Sequence, residues 1–325
     1  MPVLGTNSIE VYSRNTTSGQ LTHIFSSASP RGPAAHDGPR HIKIHPNGKV
    51  LYCVTEHCSS SIVFPSLLFM LTVLDPANFL DLYEITTPDN TTGLPFLKYI
   101  DSRSLLPSHL ASGSLKQFRG DTLMLTPPTH THPSPYALFT TTRGSTPASR
   151  GWLSIFALDR DGHFVPKDQK NPAEVEIRYE TPSSGGKANA IDLLTRWKSI
   201  KTSLRAEDNV GSVNSDGNDE LDTHLHRRAY SPFRVNETLS DCNWEGEEDG
   251  VWILLTDDDE TAAAGSDLTS SAGGVKVLEW GGWGKEGVHV VAEWPEPPRI
   301  VENDGLCEDE GKERMMGGSH AIWLV

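Results

Sequence analysis

Residues 37–57, DGPRHIKIHPNGKVLYCVTEH, constrain the fold more than any other stretch of this 325-residue chain. Alternating Ile42 and Ile44 lead into Pro46-Asn47-Gly48, and the β-branched and aromatic run Val50–Thr55 leads out. Asn-Gly between two such runs is the strongest short-range signal for a β-hairpin. A loop centred on Gly48 sets Arg40 across from Glu56, Ile42 across from Val54 and Ile44 across from Tyr52. A two-residue loop at Asn47-Gly48 shifts the pairing by one and brings Thr55 opposite Arg40. In either register one face is apolar, and Arg40 and Glu56 share the hairpin's open end.

The chain repeats this pattern with different residues. GDTLMLTPP (120–128) precedes YALFTTTRGS (136–145), and KANAIDLL (187–194) precedes, across a long polar gap, VWILLTDDD (251–259). GSHAIWLV (318–325) reads as a first strand without a second. A second kind of strand pair interleaves: NSIEVYSRNTTSGQLTHI (7–24), LDLYEITTPDNTTGLPFLKYI (80–100), GWLSIFALDRDGHFV (151–165) and VKVLEWGGWGKEGVHVVAEW (275–294). Alternating the two kinds builds four-stranded antiparallel units of roughly 40–50 residues, the signature of a β-propeller blade. No segment has a competing helical period. The expected fold is therefore all-β, a β-propeller of four-stranded antiparallel blades.

Three stretches interrupt the pattern. Ser59–Phe79 is an apolar insertion where a blade needs only a tight turn. Its uncharged run Cys58–Leu74 approaches the ~20 residues of a membrane span. Pro65 breaks it, however, and a span there would tear a blade apart, so no membrane partner is expected. Residues 198–249, rich in Ser, Asp, Asn and Glu, read as an acidic disordered loop, and 295–317 as another. Residues 1–325 are otherwise expected to form a single, partial propeller domain with about four to five recognisable blades. NSIEVYSR is already the second pair of a blade, so the ring is expected to lack N-terminal blades.

The net charge of −15 argues against nucleic acid or an acidic membrane surface as a partner. Much of the acid sits in 206–222, 241–260 and 302–313, so the field near a site elsewhere need not be negative. Cys53, Cys58, Cys242 and Cys307 have no metal-ligand spacing, and Cys53 reads as a free cysteine buried in a strand. Asp257, Asp258 and Asp259 lack calcium-loop spacing and read as a solvated strand end. No metal is expected. The chain has no signal peptide, which points to a cytoplasmic protein.

DGPRHIKIHPNGKVLYCVTEH, LFTTTRGS, SSGGKANAIDLL, WILLTDDD and GGSHAIWLV together resemble the fungal carboxy-cis,cis-muconate cyclases, which belong to the lactonase-type seven-bladed propellers. The resemblance covers most of 5–194 and then 250–325 in shorter pieces. It implies a cofactor-independent cycloisomerase that closes a 3-carboxymuconate to a γ-lactone in β-ketoadipate catabolism of aromatics. The family's site holds two arginines, a glutamate and a histidine. Arg40 and Arg143 match the arginines and Glu56 the glutamate, which makes these three the catalytic candidates. The family histidine lies in a blade N-terminal to Met1, and no residue of this chain matches it. Nothing in the sequence singles out His41, His57 or His320 as its replacement.

The chemistry suits these residue types. A guanidinium fork binds a carboxylate bidentately, and protonation at carbon needs an acid. Second-tier substrate-binding candidates are Arg119, in the same place before DTLML as Arg40 before its strand, together with Lys187, Asn189, His41 and His320. Each has a plainer reading. Arg40 and Glu56 also make sense as a cross-strand ion pair, Arg143 as a solvated turn residue, and Lys187 and Asn189 as turn-shapers. The expected partner is a small polycarboxylate, with homo-oligomerisation left open. Two alternatives stand beside the cyclase: a lactonase hydrolysing a sugar-acid lactone such as 6-phosphogluconolactone, and a propeller fragment that serves only as a scaffold.

Overall fold

The computed structural model of the protein describes residues 1–32, 35–56, 78–86, 96–110, 117–146, 149–168, 171–186, 189–198, 247–258, 274–294 and 321–324. Among these residues, four antiparallel sheets run in chain order. The first contains β1 (Pro2–Val3), β2 (Ser8–Arg14) and β3 (Leu21–Ala28). The second contains β4 (Pro39–Ile44), β5 (Val50–Thr55), β6 (Phe79–Thr86) and β7 (Phe96–Ser104). The third contains β8 (Phe118–Leu125), β9 (Ala137–Gly144), β10 (Trp152–Ala157) and β11 (Glu176–Glu180). The fourth contains β12 (Asn189–Lys198), β13 (Glu247–Asp257), β14 (Gly274–Trp280) and β15 (His289–Trp294). Each sheet is a meander whose neighbours in sequence are neighbours in space, as in a propeller blade. A short 3-10 turn spans Pro172–Glu174.

The chain divides into two compact units, Met1–Arg196 with Asp249–Val325, and Trp197–Glu248. Most of the second lies outside the described residues.

The middle strands show why the sheets stack. All six residues of β5 are buried, although a half-buried strand would alternate. Val50, Tyr52 and Val54 pack with Leu123, Leu138 and Phe156 of the third sheet. Leu51 and Cys53 point the other way, onto Ile9 of the first sheet and Tyr83. Phe139, Leu153 and Ile155 of the third sheet pack with Ile253, Leu278 and Trp280 of the fourth. Burial of each such side chain contributes ~1.5–3 kcal/mol.

Several expected details change. The hairpin takes the register of an Asn47-Gly48 turn, with Ile42 opposite Cys53 and Ile44 opposite Leu51. Gly48 sits at φ 72°, which glycine adopts without strain. A bulge between Pro39 and His41 leaves Arg40 as the extra residue, and Ile44 is exposed rather than part of an apolar face. The stretch 151–165 is not a strand pair of its own: β10 pairs with β11, and 158–164 closes only an isolated bridge from Leu158 to Phe164. Phe79 begins β6 instead of ending the insertion, and 247–249 belong to β13 instead of to a loop. Ala321–Leu324 form no strand; the Trp323 backbone N–H donates to Asp192 Oδ2 at 3.0 Å. Asp257 is not solvated. It is buried and accepts a hydrogen bond from the Ser183 hydroxyl. Cys53 is buried and free as expected, and burial pushes its thiol pKa up. Residues 59–77 of the insertion, the bulk of 198–249, and 295–317 lie outside the described residues. No described helix is long and apolar enough to cross a membrane.

Candidate functional site

The first strand of the third sheet, β8, meets the end of β5 in the second sheet through a glycine. A Cβ on Gly120 would lie 2.1 Å from the Thr55 carbonyl oxygen and 2.8 Å from Val54 Cγ1, so only glycine allows this approach. The Gly120 N–H donates to Asn78 Oδ1 at 2.6 Å and to the Glu56 carbonyl at 3.2 Å. The Asn78 amide in turn donates to the Phe118 carbonyl at 3.1 Å. Arg119 and Asp121, flanking Gly120, are thereby fixed beside the end of β5.

The first strands of both sheets are bulged here. In β4 the extra residue is Arg40; in β8 the pairing slips between Gly120 and Leu123, so Asp121 and Thr122 share the space opposite Thr141. The Thr122 N–H lies 3.2 Å from Thr141 Oγ1, which compensates for the interrupted ladder. Bulges re-aim side chains, and these two aim Arg40 and Asp121 at each other.

The result is a cluster of three guanidiniums on two carboxylates. Arg40 Nη1 lies 2.9 Å from Glu56 Oε2, and Arg40 Nε 2.6 Å from Asp121 Oδ1. Arg143 repeats the arrangement, with Nη2 2.9 Å from Glu56 Oε1 and Nε 3.6 Å from Asp121 Oδ2. Arg119 Nη1 stands 3.6 Å from Glu56 Oε1. Arg119 and Arg143 are direct cross-strand partners, a repulsive pairing that the Glu56 carboxylate between them offsets. The Glu56 and Asp121 side chains are only 6% and 1% exposed. Exposure rises to 13% for Arg143, 24% for Arg40 and 47% for Arg119. The acids thus form the floor and the arginines the rim, with three positive charges over two negative ones.

Burial raises the Asp121 pKa above its ordinary value, outweighing the pull of Arg40, the Asn189 N–H, Arg143 and His41 in the other direction. Arg40 is also buried in part, which works against its charge. Asp121 and Glu56 together outweigh that, and the Arg40 pKa lies above the usual guanidinium value.

Two second-tier candidates support the cluster. The Asn189 backbone N–H donates to Asp121 Oδ2 at 2.9 Å, and its side-chain carbonyl accepts from Thr141 Oγ1 at 2.8 Å. Asn189 is buried, and these bonds hold the floor in place. His41 is exposed, and its Nδ1 bonds the Asp121 carbonyl oxygen. Lys187 and His320, like His57, lie outside the described residues. Among the described residues no group of His, Cys, Asp and Glu has the arrangement to hold a metal ion.

The sequence reading missed Asp121. The available signal was its place in Arg119-Gly120-Asp121, at the mouth of a strand whose other residues read as buried. It also missed a second charged cluster. Arg31 grips Asp81 bidentately, Nη1 to Oδ1 at 2.9 Å and Nη2 to Oδ2 at 2.7 Å, and donates Nε to Asp37 at 2.9 Å. Arg31 also lies over the Phe79 ring at 4.2 Å. This set ties the segment leading into β4 to β6. The Gly38 carbonyl then accepts from the Glu56 N–H at 2.8 Å, so the anchorage reaches the site.

The comparisons with known proteins agree with this architecture. Residues 1–69 match the family model described as a lactonase, 7-bladed beta-propeller; that segment contains Arg40 and Glu56 but not Arg119, Asp121 or Arg143. Among curated proteins, the chain is similar to muconate cycloisomerase 1 of Cutaneotrichosporon cutaneum, 26% identical over 188 residues. The match covers 58% of this chain and 39% of that protein.

Proposed function

We propose that the chain is a lactone-forming enzyme, a cofactor-independent cycloisomerase that closes a 3-carboxy-cis,cis-muconate to a γ-lactone. The observation that carries the reading is the guanidinium rim. Its contacts with Glu56 and Asp121 use Nη1 and Nε of Arg40 and Nη2 and Nε of Arg143. The remaining amino groups, with the half-exposed Arg119, are the donors assigned to the substrate carboxylates. A polycarboxylate substrate suits a site with surplus positive charge and preset forks. The similarity to muconate cycloisomerase 1 supports the same substrate class.

In such a reaction a carboxylate oxygen adds to an alkene carbon conjugated with a second carboxylate. The C–O bond forms as the C=C π pair moves toward that carboxylate, which gains negative charge. Guanidiniums already in place stabilise this charge without reorganising at the moment of reaction. Protonation of the adjacent carbon completes the lactone. Glu56 and Asp121 hold the rim arginines in register for these contacts. The proposal includes a cytoplasmic protein that handles a small polycarboxylate without nucleic acid or membrane.

Incubating the purified protein with 3-carboxy-cis,cis-muconate and following the diene absorbance and proton NMR spectrum tests the reading. Loss of the diene with appearance of a γ-lactone supports it. The family model matched by residues 1–69 favours one competing reading, hydrolysis of a preformed lactone. Opening of 6-phosphogluconolactone with no action on the muconate selects that alternative. Action on neither substrate leaves the scaffold reading.

A further inference from the structure

Arg40 and His41 are consecutive residues of a strand, yet both reach Asp121, Arg40 at its carboxylate and His41 at its backbone carbonyl. In a regular strand their side chains would point to opposite faces. The bulge between Pro39 and His41 removes that restriction. A carbonyl oxygen only accepts, so His41 Nδ1 carries a hydrogen and donates it. That bond fixes the ring and leaves Nε2 as the nitrogen available for chemistry, the usual way a protein prepares a histidine for proton transfer.

The neighbouring groups do not offer the same service. Glu56 has both carboxylate oxygens taken up by guanidiniums, Oε2 by Arg40 and Oε1 by Arg119 and Arg143. Asp121 is 1% exposed and closed to a ligand. The arginines do not release protons. His41 is exposed, titratable and next to the rim. The charged groups around it are Arg40 and Lys43 on its own strand, Glu56 following β5, Arg119 and Asp121 on β8, and Arg143 on β9; β1, which packs on β4, brings only Pro2 and Val3.

We propose that His41 is the proton donor of this site, a role that rests on the lactone-forming reading above. The substrate carboxylate oxygen supplies the electron pair of the new C–O bond. The displaced π pair takes the proton from Nε2 of the imidazolium, forming the C–H bond. His41 is left neutral, with its Nδ1–H still on the Asp121 carbonyl, and regains its proton from water. No co-reactant is needed.

The test compares wild type with His41→Ala and His41→Gln in the full chain, assayed by muconate ring closure with and without added imidazole. A general acid contributes ~10²–10⁴-fold, so kcat should fall by that factor while KM stays within about threefold. Imidazole should restore part of the His41→Ala rate but leave an Arg143→Lys variant unaffected. His41→Gln keeps an N–H donor for the Asp121 carbonyl, so a loss in both variants separates chemistry from folding. Wild-type turnover with undiminished rates in both variants overturns the role of His41 and leaves the lactone-forming reading standing. A loss confined to KM, without imidazole rescue, also overturns it. Absence of ring closure by the wild type removes the functional reading and this role with it.

Discussion

Replacing Gly120 by alanine should separate the second and third sheets at the site. The added Cβ would fall 2.1 Å from the Thr55 carbonyl oxygen, 2.8 Å from Val54 Cγ1 and 3.1 Å from Leu105 Cδ1. The first of these is backbone inside a fully buried strand, so relief requires β8 to move by about 1 Å, given ordinary carbon–oxygen contacts. Overpacking of this kind costs ~1–3 kcal/mol. The shift also stretches the two hydrogen bonds of the Gly120 N–H, 2.6 Å to Asn78 Oδ1 and 3.2 Å to the Glu56 carbonyl. Each weakened bond adds ~0.5–1.5 kcal/mol. A total of about 2–6 kcal/mol should appear as a lower urea midpoint at unchanged slope. Because Arg119 and Asp121 flank the moved residue, polycarboxylate binding should weaken in the same variant. Gly5→Ala is the control, since a Cβ there meets nothing within 4 Å, and its midpoint should stay within about 0.5 kcal/mol of wild type. A Gly120→Ala protein as stable as that control, with binding intact, refutes the inference that this contact sets the site.

Two carboxylates give opposite pH signatures. Burial raises the Asp121 pKa above 3.8, so its contribution to stability is present below that value and is lost as pH rises through the folded pKa. Asp121→Asn has no proton to lose, so its urea midpoint should gain on wild type as pH climbs from about 3.5 to 7, and a constant gap sinks the argument. Hydrogen bonds from Ser26 and Ser8, with His23 beside it and against a smaller burial effect, pull Glu10 down from 4.5 to about 2. Its contribution is therefore present above 4.5 and lost as pH falls through about 2, and the advantage of wild type over Glu10→Gln should shrink across that window. Parallel midpoint curves for those two proteins would show that the Ser8, Ser26 and His23 contacts do not hold the charge.

Much of the fold was legible because a blade is built from local hairpins. Residues 7–24, 80–100 and 275–294 pair as their alternation and turns require. The β10–β11 pair was not legible, because its second strand, Glu176–Glu180, lies beyond a loop and a 3-10 turn that no periodicity marks. Of the site, Arg40, Glu56 and Arg143 do converge, and Arg119 joins them at the rim. What escaped the sequence was the floor. Asp121 reaches the arginines only through two bulges, and a bulge is an agreement between two strands that neither strand's pattern records alone. Asn189 looked like a turn-shaper and proved to be a buried strand residue that holds Asp121 by its backbone. Asp257 looked solvated because its partner, Ser183, lies 74 residues away in the chain.

The most direct test of the account is calorimetric titration of the full chain with 3-carboxy-cis,cis-muconate, comparing wild type with Arg40→Lys and Arg143→Lys. Lysine keeps the charge but loses the fork that holds Glu56 and Asp121 and meets the ligand, so each variant should bind about 10- to 100-fold more weakly while unfolding at nearly the wild-type midpoint. Wild-type binding that both lysine variants reproduce, or no wild-type binding at all, contradicts the claim that this guanidinium rim is a polycarboxylate site.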